Sequence, residues 1–139
     1  MRLFLVTAAA AFFPLVATDA QTVQDTPTTI NGVETVCTGV GSAKDDPRWS
    51  AYPIKVVLAT AGGANLANAH VTLARGGKEL AGLDCDAPWI LFRAAPGAYT
   101  VTASLIGGGG ASPSARVTAG AGQKEVTLMF QRPPSGNMQ

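Results

Sequence analysis

The side chains capable of chemistry are few. Two cysteines, Cys37 and Cys85, and a single histidine, His70, stand among 139 residues. Two thiols and one imidazole fall short of the four ligands of a closed zinc site, so no metal is assigned to them. A serine hydrolase needs a base oriented by an acid and aimed at a hydroxyl. His70 lies in Asn68-Ala69-His70-Val71, where the sequence points no serine or acid at it, and it reads as a part-exposed residue at a strand edge. Asp45-Asp46 and the Asp84-Cys85-Asp86 triplet offer the clustered oxygens that Ca²⁺ prefers. Their spacing follows no calcium loop, and they read as solvated loop carboxylates. The glycine run at 107–110 is followed by Ala-Ser-Pro-Ser and another strand pattern, whereas phosphate cradles open onto a helix N-terminus. It reads as a flexible hairpin tip. No cofactor and no catalytic residue follow from these groups.

The aromatic residues are the stronger lead. Arg48, Trp49 and Tyr52 lie in DPRWSAYP, a proline-bracketed loop expected at the surface. Aromatic platforms on such loops bind sugar rings or protein partners, so these three residues form the candidate binding surface. The alternative is structural: Trp49 folds back as a lid over the domain, and Trp89 packs on a second sheet or on the disulfide.

The compartment follows from the N-terminus. Arg2 precedes an apolar stretch over 3–17, interrupted by Thr7 and Pro14, and Thr18-Asp19-Ala20 supplies small residues for cleavage. This is the layout of a secretory signal peptide over 1–20, and it is short for a membrane span of about 20 apolar residues. Export makes Cys37 and Cys85 a disulfide pair in a periplasmic or secreted protein. The formal charge is +1 with Lys and Arg scattered, which gives no electrostatic reason to bind nucleic acid or an anionic membrane.

The elements that must position these groups have a period of two. Tyr99, Val101, Ala103 and Leu105 alternate with Thr100, Thr102 and Ser104; Val126, Leu128 and Phe130 alternate with Thr127 and Met129. Ile54, Val56 and Leu58 share one face, as do Val71 and Leu73. Such alternation marks strands with one wet face. Gly76-Gly77, Pro96-Gly97 and Gly120-Ala121-Gly122 supply the turns. The expectation is about seven antiparallel strands, at 33–40, 54–60, 69–75, 79–85, 89–94, 98–106 with 115–119, and 124–131, packed as two sheets. A mobile leader over 21–29 and a disordered tail over 132–139 flank a sandwich domain over 30–131.

The runs AHVTLARGGKEL, WILFRAAPGAYTVTASL and GQKEVTLMF resemble the carboxypeptidase regulatory-like domain, a transthyretin-like (prealbumin-like) sandwich, over about residues 54–131. The strongest token is Pro96-Gly97-x-Tyr99-x-Val101. The segments ETVCTGVG and DDPRWSAYP resemble small exported bacterial proteins that carry this sandwich alone. The resemblance implies a seven-strand Greek-key fold and an accessory role: packing against or binding a partner, with no catalysis. Transthyretin-like hydrolases of 5-hydroxyisourate use two or more histidines and a C-terminal Tyr-Arg-Gly-Ser, whereas this chain has His70 alone and ends its last strand in Gln131-Arg132-Pro133-Pro134. Adhesin sandwiches join a lysine to an asparagine; Lys55 is suitably early, but 124–131 holds no asparagine, and Asn137 lies in the tail. The expected function is therefore an exported, monomeric module that is structural or binds an envelope protein, with carbohydrate binding through Trp49 and Tyr52 as the alternative.

Overall fold

The computed structural model describes residues 20–21, 23–108 and 111–131. The expected signal segment apart from Ala20, part of the glycine run, and the tail from 132 lie outside the described residues. The strands are β1 (Ala20–Gln21), β2 (Thr28–Ile30), β3 (Val33–Thr38), β4 (Ile54–Thr60), β5 (Ala69–Arg75), β6 (Lys78–Cys85), β7 (Trp89–Arg93), β8 (Gly97–Leu105), β9 (Ser114–Ala119) and β10 (Lys124–Phe130). They form two sheets, ordered β1-β6-β5-β8-β9 and β10-β4-β7-β3-β2. We call these sheet A and sheet B. No helix among the described residues is long and apolar enough to cross a membrane.

Alternation puts the apolar set between the layers. Ile54, Val56, Leu58, Ile90, Phe92 and Leu128 of sheet B are buried against Val71, Leu73, Leu83, Tyr99 and Val101 of sheet A. Each such side chain contributes roughly 1.5–3 kcal/mol relative to exposure. The two-residue period shows most clearly in β5, β6 and β8, the interior strands of sheet A.

Two expectations are corrected. The sandwich is not wholly antiparallel. The loop after β9 carries the chain from sheet A back to sheet B, where β10 runs parallel to β4 in the register Lys124↔Ile54 to Phe130↔Thr60. Second, the stretch expected as a mobile leader is tied down. The Asp25 amide donates to the Cys37 carbonyl at 2.8 Å, Thr38 Oγ1 donates to Asp25 Oδ1 at 2.6 Å, and Thr28–Ile30 pairs with β3. Thr-Thr-Ile is too short, with one apolar residue, to register as a period.

Cys37 and Cys85 are bonded, with Cα atoms 5.6 Å apart and a sequence separation of 48. Cys37 belongs to β3 of sheet B and Cys85 ends β6 of sheet A, so the bond staples layer to layer. A disulfide marks an oxidising, non-cytoplasmic environment.

The Pro96-Gly97-x-Tyr99 token is a corner. Gly97 takes φ +151° at the entry to β8, and Tyr99, buried, donates its hydroxyl to the Ala95 carbonyl at 2.5 Å. A tyrosine locking the chain just before its own strand recurs at sandwich corners. Tyr99→Phe keeps the packing and loses that bond. We expect a loss of about 1 kcal/mol, read as a lower denaturation midpoint at unchanged m-value.

Candidate functional site

Of the two readings of the DPRWSAYP loop, open platform and folded-back lid, the structure takes the lid. Two short 3-10 turns, Gly41–Asp45 and Pro47–Ala51, form a strap. Asp46 caps the second turn, accepting from the Arg48 amide at 2.9 Å, and Pro47 fits the first helical position because its missing N–H would be unpaired there. The turn points Trp49 inward. Its exposure is 4%, and that of Tyr52 is 3%. Both pack on Val36 and Leu91, the outward residues of β3 and β7. Trp49 Nε1–H donates to the Ala43 carbonyl at 2.8 Å, and Gln123 Nε2 donates to the Trp49 carbonyl at 2.8 Å.

Trp49 and Tyr52 are therefore the underside of a lid on sheet B, not an open platform. The physical reason is the hydrophobic pair Val36 and Leu91, which would otherwise face water. The rings meet edge to face with centroids 6.0 Å apart. Arg48 lies 4.7 Å from the Trp49 ring and Arg93 4.7 Å from the Tyr52 ring. Of the three residues singled out in the loop, Arg48 alone is exposed, and it is held by Asp46 at 2.7 Å. That guanidinium holds the Asp46 carboxyl below its ordinary pKa.

Arg93 Nε donates to Glu34 Oε2 at 2.9 Å. Glu34 is held below the ordinary carboxylate range by hydrogen bonding to Tyr52 and then to Arg93. Burial first, then Glu34, pushes the Tyr52 phenol up to about 12. An unfolded tyrosine loses its proton near pH 10, while the folded phenol keeps it. Between about pH 10 and 12 the unfolded state thus binds fewer protons, and stability falls as pH rises. Tyr52→Phe removes this component. We expect the alkaline slope of the melting temperature over that window to be shallower in Tyr52→Phe than in wild type.

Trp89 likewise sits on the outer face of sheet B, half-buried, and not against the disulfide. Its ring lies on Gly39, where a Cβ would come within 2.6 Å of it. Lys55 Nζ stands 3.5 Å from the ring centroid and 3.2 Å from Glu125 Oε1. The lysine considered for a covalent link thus points outward to a carboxylate partner.

Sheet A presents a different outer surface. Its outward positions follow from register: Thr72 stands opposite Thr102, and Thr102 opposite Ser114. Thr100 stands between Ala74 and Arg116. All are part-exposed or exposed, and Thr102 Oγ1 and Ser114 Oγ are 3.1 Å apart. At the β5–β6 end, Gly76 and Gly77 take φ +58° and +78°, the positive pair a two-residue hairpin needs. Beside this turn is a cavity of about 260 Å³, lined by Ala74, Ala98, Tyr99, Thr100 and Arg116 from the strands and by the two glycines of the turn.

At the other end, register supplies what the sequence withheld. His70 on β5 lies directly across from Asp84 on β6 and from Ser104 on β8. His70 Nδ1 and Asp84 Oδ1 are 2.7 Å apart. The ring leans over β6, where Nε2 is 3.4 Å from the position a Gly82 Cβ would take. That direction is away from β8, so the imidazole does not address the Ser104 hydroxyl, and the geometry makes a His–Asp pair but no nucleophile–base pair.

Sequence reading missed Arg116, Thr72, Thr102 and the Asp84 partner of His70. The signal for the hydroxyls was present as the wet half of the β8 alternation; the pairing of strands was not. No family model matches the chain, and no curated protein sequence matches it.

Proposed function

We propose that this is an exported accessory β-sandwich of the carboxypeptidase regulatory-like, transthyretin-like type, with a seven-strand Greek-key core. It acts as a monomer in the periplasm or outside the cell, binding an envelope protein through the outer face of sheet A, without catalysis. The observation carrying this reading is the contrast between the two outer faces. Trp49 and Tyr52 cover the apolar centre of sheet B, while Thr72, Thr100, Thr102 and Ser114 of sheet A remain accessible. The inter-sheet disulfide supports export, and the Tyr99 corner supports the family. A sugar-binding role through Trp49 and Tyr52 has no open ring face to rest on.

The test is capture of a partner from the envelope fraction by the tagged protein. Thr102→Arg places a long charged side chain in the middle of the proposed face and should abolish capture at unchanged melting temperature. Arg48→Ala, on the strap, should leave capture intact. Capture lost in Arg48→Ala and kept in Thr102→Arg would reverse the assignment.

A further inference from the structure

We infer that the cavity beside the Gly76–Gly77 turn binds a carboxylate of the partner protein, an acidic side chain or a chain terminus. The inference rests on the reading of sheet A as the binding face and names the group recognised there.

Charge is the first argument. Arg48, Arg93 and Lys55 are each matched to a carboxylate, with Asp46, Glu34 and Glu125 respectively. Arg75, Lys78 and Arg116 make no ion pair among the described residues. Arg75 and Lys78 flank the turn, and Arg116 lines the cavity beside it. No carboxylate lines the cavity. The nearest acid along the chain, Glu79, is turned away, with Oε1 3.3 Å from where a Gly82 Cβ would sit, on the His70 side. Arg75 is engaged elsewhere, its guanidinium against Gly97 and 5.5 Å from the Tyr99 ring, so Arg116 is the unneutralised cation that the cavity offers an anion.

Shape is the second. About 260 Å³ lies below the roughly 300–1,000 Å³ of pockets for drug-sized ligands, so it suits one small group of a larger molecule. Arg116 supplies a planar fork of donors that matches a carboxylate, and Thr100 supplies a hydroxyl beside it. The two glycines bring no side chain to the rim; a Cβ at either would meet nothing within 4 Å, so the backbone is open to approach. Phosphate sites add a helix N-terminus or a run of convergent amides, and the cavity is bordered by strands and one tight turn. This favours carboxylate over phosphate.

The experiment titrates the full-length exported protein with acetate and with the peptide acetyl-Asp-Asp-amide, at constant ionic strength, following backbone amide NMR shifts. We expect saturable shifts confined to Gly76, Gly77, Thr100 and Arg116, with the peptide binding more tightly than acetate. Arg116→Gln should weaken the peptide about tenfold or more, the loss of one charge-assisted contact, with Arg116→Lys intermediate. Arg116 is exposed on the outer side of β9, so these variants leave the core untouched; an unchanged melting temperature verifies that. Absence of saturable shifts, or undiminished binding in Arg116→Gln, overturns the proposal. Inorganic phosphate binding more than about tenfold tighter than the peptide overturns the carboxylate assignment. A flat titration with capture still abolished by Thr102→Arg removes the anion site alone. Capture indifferent to Thr102→Arg removes the binding face itself.

Discussion

Replacing Cys37 and Cys85 together by alanine lowers the folding free energy by about 4 kcal/mol, the chain-entropy value for a closed loop of this length. The loop is set by the sequence separation of 48. For a domain of this size the same loss lowers the melting temperature by on the order of 20 °C. Both half-cystines are buried, at 0% and 1% exposure, so alanine is the appropriate replacement; serine would add an unpaired buried hydroxyl. The structural consequence is local as well as global. The bond joins sheet B to sheet A at β3 and β6, and the segment that hydrogen-bonds to Cys37 and Thr38 through Asp25 is anchored on the same spot. Urea titration of the two proteins measures the difference. A change under about 1 kcal/mol would mean that the bond constrains little in the unfolded chain.

Trp49→Ala costs roughly 3 kcal/mol, at the lower end of large aromatic truncations, because the strap is a surface layer and its loss can be partly accommodated. The ring deleted is in contact with Val36, Leu91 and Tyr52, and its indole N–H bond to Ala43 goes with it. We expect hydrogen exchange to accelerate over 41–53 and in the outward residues of β3 and β7, with the Phe92 core less affected. Arg48→Ala is the control: an exposed ion pair with Asp46 contributes within about 1 kcal/mol. If the two variants were equally mild, the strap would not be held by its tryptophan.

The sequence was legible where side chains report on burial. The alternation of Tyr99, Val101 and Ala103 with Thr100, Thr102 and Ser104 separates one inner from one outer face, and those faces are as expected. The cysteine pair was legible from number and compartment. What a two-residue period cannot encode is which strand lies beside which, or in what direction. The parallel β10–β4 pairing therefore escaped, and so did the alignment of Asp84 with His70. The loop DPRWSAYP stayed open between platform and lid for a different reason. Proline and charge mark it as surface chain, and the chain does run over the surface, but Trp49 turns under it. Its carbonyl is held by Gln123, 74 residues away in sequence, and no local pattern carries such a contact. The candidate site suffered most. Arg116, Thr100 and the Gly76–Gly77 turn come from three separate stretches that only the β5–β8 and β8–β9 registers bring together.

Assigning partner binding to sheet A depends on sheet B being closed, and the Trp49 ring is the closure. Acrylamide quenching of Trp49 fluorescence in a Trp89→Phe background measures it directly. Burial predicts blue-shifted emission and quenching several-fold slower than for free tryptophan in the same buffer, reverting only when the protein is unfolded. Emission and quenching like those of free tryptophan in the folded protein would place the ring in water, return Arg48, Trp49 and Tyr52 to the role of an open surface, and contradict the account.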